Sequence, residues 1–236
     1  RLENLIFGHR RLVLVVFAVF TVLMAASASR LRIDAGFAKL MPLKHEYMRT
    51  YLQYRDEFGG ANRVLIALKV RQGDIFTPGF FTTLRAVTDD VFFIPGVDRT
   101  RVSSLFTPNV RFTEVVEDGI SGGNVIPADF SATPEGLARV RRNLLKSGYV
   151  GRLVANDFTA AIVSAELLEI NPNTGERLDY IDVAGQLEGI RQKYANGTVG
   201  VEFDYHVIGF AKVIGDISAG ATRVVLFFII AFFITA

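Results

Sequence analysis

Gly119-Ile120-Ser121-Gly122-Gly123 fits the G-x-S-x-G pattern of a serine nucleophile, and acidic residues and His206 follow it in the chain order of an α/β-hydrolase triad. That chemistry needs the serine on a sharp turn between a strand and a helix. Here Asn124-Val125-Ile126-Pro127 follows at once and no helix can begin, so the segment reads as a glycine-rich hairpin turn between Phe112–Val116 and Val125–Ile126. His9, His45 and His206 stand far apart, with no second histidine at metal-ligand spacing, and the chain has no cysteine. These facts exclude a disulfide framework, thiol catalysis and a cysteine-based zinc site. There is no P-loop and no G-x-G-x-x-G motif, so this stretch does not draw on nucleotide energy. The expectation is a chain without catalytic residues, metal or cofactor, and not an enzyme. A formal net charge of +2 with no basic stripe gives no basis for a nucleic-acid partner. Asn196-Gly197-Thr198 matches a glycosylation sequon, but a helix-ending turn explains it equally.

The elements that organise the rest are apolar. Leu12–Ala28 carries no charge and only Thr21 and Ser27 as polar groups, enough for a short helix across a hydrocarbon core of roughly 30 Å. Val224–Ala236 is a second apolar run, and the sequence stops inside it. With Arg at position 1, this reads as an internal stretch of a longer membrane protein. The rival reading of the first run is a signal peptide, with Arg10-Arg11 as its positive region and Ala26-Ser27-Ala28 as its cleavage site. The second run argues against it. Arg10 and Arg11 face Arg30 and Arg32 across the first run, so charge does not set the orientation. Loop size favours a short tail inside and the long middle outside.

Between the runs the chain reads as a folded domain. Tyr47, Tyr51, Tyr54 and Phe58 share one helical face, expected to pack as core, and Gly59-Gly60 ends that helix. Arg63–Val70 reads as a strand covered on both faces or central in a sheet. Thr77-Pro78 opens a helix whose Phe81, Leu84, Val87 or Thr88, and Val91 lie on one side, and a strand follows at about 98–105. Thr133-Pro134 opens another helix, with Leu137, Val140, Leu144 and Leu145 inward and Arg139, Arg141, Arg142 and Lys146 mostly on a solvated face. A strand within 159–170 precedes a helix from about Leu178 to Tyr194, expected to bury Leu178, Ile181, Leu187, Ile190 and Tyr194. Val201–Ile208 alternates strictly, with Val201, Phe203, Tyr205 and Val207 on one face. Two strand–helix–strand units joined by an insertion fit an α+β, ferredoxin-like βαββαβ sandwich flanked by transmembrane helices. Gly215, Ala219 and Gly220 permit close contact with another element.

The order of several short pieces resembles the resistance-nodulation-division superfamily, nearest its MMPL-like subgroup of exporters. They are Leu31-Arg32-Ile33-Asp34, Leu40-Met41-Pro42, Phe58-Gly59-Gly60, Asp74-Ile75-Phe76, Ile94-Pro95-Gly96-Val97, Val102-Ser103-Ser104-Leu105 and Ile208-Gly209-Phe210. The resemblance implies a cytoplasmic segment at 1–11, a first span at 12–29, a porter domain at 30–215 and the start of a second span at 216–236. Within the domain, ferredoxin-like halves occupy about 61–106 and 158–208, and a partly helical insertion about 107–157. It further implies proton-driven export of lipids or other amphiphilic molecules at a bacterial inner membrane, with the loop in the periplasm. Partners are then the bilayer, a lipid-like substrate, further copies in a dimer or trimer, and periplasmic accessory proteins. Neither apolar run carries a charge that could relay protons. Phe37, Leu40, Met41 and Phe210, apolar residues at the membrane end of the loop, are the substrate-path candidates. Alternatives are a membrane-anchored interaction module that moves nothing, and an esterase using Ser121.

Overall fold

The computed structural model describes residues 10–28, 45–58, 62–117, 119–195 and 202–235. The chain divides into two compact units, Arg1–Gly36 and Phe37–Ala236. The first holds α1 (Arg10–Ala28), whose 19 residues cover about 28 Å at the rise of an α-helix. Apart from the half-buried Val13, its large apolar side chains are exposed, from Val19 at 54% to Phe17 at 69%. A helix that is apolar around its whole circumference suits a lipid surround.

In the second unit, α2 (Glu46–Phe58) comes first and departs from expectation. Tyr47 is 74% exposed and Tyr54 44%, while Met48 is buried, so the tyrosine face is not the core face. Phe58's side chain and Gly59-Gly60 lie outside the described residues. The core begins at β1 (Arg63–Val70), followed by α3 (Pro78–Phe92) and β2 (Val97–Ser103). Later in the chain come β5 (Ala160–Leu167), α5 (Tyr180–Tyr194) and β6 (Phe203–Gly209). The four strands form one sheet in the order β2-β5-β1-β6, with each neighbouring pair antiparallel.

β1 is central, but it is covered on one face only: Val64, Ile66, Leu68 and Val70 are buried, Leu65 and Ala67 half-exposed, and Lys69 exposed. The covering layer comes from α3 and α5. Thr77 caps α3 by accepting from the Phe80 N–H, with Pro78 in the first turn, which fixes the helix phase so that Phe80, Phe81, Leu84, Val87 and Val91 face inward. The Phe80 ring meets Phe203 of β6 at 5.7 Å, and Phe81 meets Phe130 at 5.5 Å. Asp179 caps α5 by accepting from the Ile181 and Asp182 N–H groups, so the helix starts at Tyr180 rather than near Leu178. Its buried side is Tyr180, Val183, Ala184, Leu187 and Ile190, while Ile181 and Tyr194 are only half-buried. β6 is an edge strand. Phe203 is buried, but Tyr205 and Val207 are half-buried because no element among the described residues flanks them further out, and Val201 lies outside the described residues.

Between the two halves, β3 (Arg111–Val116) and β4 (Gly119–Asn124) form a separate hairpin, followed by α4 (Pro134–Ser147). The glycine-rich segment is therefore a strand and not the turn: Val116 pairs with Gly119, Val115 with Ile120 and Glu114 with Ser121. Close backbone approach explains one glycine, since a Cβ at Gly122 would lie 2.7 Å from the Phe112 carbonyl oxygen. On α4, Leu137, Val140 and Leu144 are buried as expected, whereas Leu145 is 62% exposed because it falls past the edge of the inward stripe. The basic residues of α4 are partly engaged. Arg139 pairs with Asp129 at 3.0 Å, Arg141 with Asp74 at 3.7 Å, and Lys146 with Glu114.

Candidate functional site

Of the four substrate-path candidates, Phe37, Leu40 and Met41 lie outside the described residues, as do Leu31–Asp34 and the sequon at Asn196. Phe210 opens α6 (Phe210–Thr235), a helix of 26 residues that begins inside the domain rather than at its border. Nothing separates it from the sheet except Gly209, the last residue of β6. Gly209 has φ +146, and a Cβ there would stand 2.5 Å from the Arg63 carbonyl oxygen and 3.0 Å from the Val64 Cα. Only glycine lets the edge strand close against β1 and turn into a helix in one step.

The first turns of α6 are seated on α5. The Phe210 ring meets Tyr180 edge-on at 5.1 Å and so contributes to the packing at this joint. The Tyr180 hydroxyl accepts from Asn62 Nδ2 at 2.9 Å, and the same nitrogen lies 3.4 Å from the Leu167 carbonyl. Ala211 and Ile214 are buried, and Gly215 meets Ala184 of α5. The contact predicted for the small residues is thus made within the chain by Gly215, while a Cβ at Gly220 would meet no other element among the described residues.

An ion-pair chain edges this contact. Arg191 donates to both oxygens of Glu188 at 2.5 and 2.8 Å, and Gln192 donates to it at 3.2 Å. Lys212 of α6 reaches Glu188 at 3.9 Å and Asp216 at 2.5 Å. Hydrogen bonds from Arg191, opposed by partial burial, hold the Glu188 carboxyl down at about 2. Past Ser218 the helix is exposed on all sides, and the large apolar side chains from Val224 to Ile234 are 46% to 79% exposed. The arrangement is a mechanical joint: a helix anchored at its base by apolar contact and ion pairs, then free of the domain.

A second polar cluster ties the two covering helices. Asp90 of α3 accepts from Lys193 Nζ and from the Tyr194 hydroxyl, both at 2.7 Å. Beneath it the Tyr205 hydroxyl has no hydrogen-bond partner among the described residues, and burial pushes its ionisation well above the ordinary tyrosine range. Ser121 sits exposed on β4 and His206 exposed on β6, in two different sheets, and no hydrogen bond joins their side chains. A nucleophile elbow runs from strand directly into helix, and that is not the geometry around Ser121. No group of three metal-ligating side chains occurs among the described residues.

No family model matches the chain. It is 21% identical over 184 residues to "Putative membrane protein MJ1562" of Methanocaldococcus jannaschii, an alignment covering 71% of this chain and 43% of that protein. The chain thus spans less than half the length of this relative. The relative's name and the two long apolar helices agree in placing this chain at a membrane.

Proposed function

We propose that this chain is the porter-type portion of a proton-driven exporter of lipids or other amphiphilic molecules, of the kind found in the resistance-nodulation-division superfamily and its MMPL-like subgroup. In this reading the domain is periplasmic, and α1 and α6 cross the bacterial inner membrane. Its strands, numbered in order within the sheet, run second-third-first-fourth with helices over one face, which supports a ferredoxin-like βαββαβ fold carrying the hairpin and α4 as an insertion. The observation that carries the proposal is the joint at Gly209, where α6 grows out of the edge strand without a linker and is seated on α5, so that a tilt of α6 in a membrane would carry to the sheet. The exporter reading needs such coupling. A tethered binding module does not.

The test is transport by the intact protein in sealed vesicles under an imposed proton gradient, followed with a fluorescent amphiphile. Gradient-dependent movement that a protonophore abolishes, and that weakens when Gly215→Leu loosens the joint, supports export. Movement indifferent to the gradient, or none in vesicles shown to hold folded protein, counts against it. The second reading, an anchored interaction module, is favoured by the hairpin tip, where the paired Val115 and Ile120 are 88% and 78% exposed.

A further inference from the structure

Two of the concavities among the described residues lie outside the joint. The larger, about 350 Å³, runs between α3 and α5, and its charged residues, Asp90 and Lys193, are already paired with each other. The smaller, about 180 Å³, lies between α3 and the segments on either side of the hairpin. Arg85 stands exposed at its rim and has no carboxylate partner among the described residues; its guanidinium lies over the Phe106 ring at 5.8 Å. Asn124 lines the same cleft, and its side-chain amide makes no hydrogen bond among the described residues.

The other side chains that line it are apolar, with Ile126 buried and Phe106 and Phe130 as neighbouring rings at 6.3 Å, while backbone groups between them are open to the cleft. Both rings rest on the buried Phe81, at 6.1 and 5.5 Å. The far wall is pinned. Val125 N–H donates to the Val110 carbonyl at 3.1 Å, and Asn143 Nδ2 donates to the Val125 carbonyl at 3.1 Å. Asp129, beside this wall, is held by both terminal guanidinium nitrogens of Arg139 at 3.0 and 3.2 Å and so does not neutralise Arg85.

We propose that this cleft binds an amphiphile with a single anionic head, the head on Arg85 and the Asn124 amide and the first carbons of its tail on Phe106 and Phe130. A cleft of 180 Å³ is about six water molecules in volume, enough for a carboxylate or phosphate and a few methylenes while the rest of the chain runs over the rim. A guanidinium over an aromatic floor gives the head a charge-assisted partner and the tail an apolar bed. The proposal stands whether or not the protein moves what it binds.

The test uses the full chain in phosphatidylcholine nanodiscs with a decanoate carrying a diazirine on its chain, and maps the photolabelled peptides by mass spectrometry. Expected is labelling at 106–108 and 126–130 that falls about tenfold in Arg85→Ala, the loss typical of one hydrogen bond to a charged group. The diazirine alcohol of equal length should label there only at background, and Arg142→Ala, an exposed site on α4, should change nothing. Arg85 is likewise exposed, so its removal leaves the core intact. Adding phosphatidic acid to the discs separates two sources of the ligand: competition identifies an anionic lipid head, no competition a free carboxylate, and both agree with the proposal. Full labelling in Arg85→Ala, equal labelling by the alcohol, or labelling confined to α1 and α6 would overturn it.

Discussion

Gly215 of α6 lies against Ala184 of α5 with no room for another atom, since a Cβ at position 215 would overlap the Ala184 Cβ. A side chain there must push the helix base off its seat. Gly215→Leu is expected to destabilise the domain by about 1–3 kcal/mol, the usual cost of overpacking. Gly220→Leu, further along the helix where an added Cβ meets nothing within 4 Å among the described residues, should leave the thermal midpoint unchanged. Thermal unfolding of the full chain in detergent, followed by helicity, reads both.

Gly209→Ala addresses the same joint from the sheet side. The new Cβ meets backbone atoms of Arg63 and Val64, which cannot rotate away, and the φ of +146 is strained for any other residue. A loss of roughly 1–3 kcal/mol is expected. Cleavage near residue 209 by a protease of broad specificity should appear under native conditions in the variant and be absent in the parent.

The Glu188 carboxyl gives the joint a pH dependence of definite sign. Its folded value, about 2, lies below its ordinary 4.5, so the stability it contributes is present above pH 4.5 and is lost as pH falls through about 2. Urea midpoints measured between pH 5 and pH 2 should fall with acid more steeply in the parent than in Glu188→Gln. Parallel curves would mean that the Arg191 and Lys212 contacts add nothing to the fold.

Phe80 tests the core. It is fully buried between α3 and β6, and Phe80→Ala is expected to cost about 3–5 kcal/mol. Phe93→Ala, whose parent side chain is 67% exposed just past the end of α3, should cost far less in the same urea titration.

Several elements were legible from the sequence because a local rule was strong enough to set them. Thr77-Pro78 and Thr133-Pro134 start helices where capping requires, and Arg63–Val70 is a strand over its full length. The misplacements share another cause: they depend on which neighbour an element meets. Tyr47 and Tyr54 sit at sound helical spacing, yet α2 presents Met48 to the core. Leu145 continues an apolar run but lies beyond the stripe that α4 buries. The glycines of β4 look like a turn, and at Gly122 they serve backbone approach to Phe112 instead. Arg85 gives no signal in the sequence, because a lone arginine on a helix surface is ordinary until the rings beside it are seen in three dimensions.

The most direct test of the joint and the span is cysteine scanning along α6 in intact membranes, made simple by a chain that has no cysteine of its own. A membrane-impermeant maleimide, applied from the side that holds the domain, should label Val213→Cys and Ile217→Cys, both exposed on the domain's part of the helix, and fail to label positions from Val224 to Ile234. If those later positions label as fast as Val213→Cys, α6 lies in water and the membrane-coupled domain is wrong.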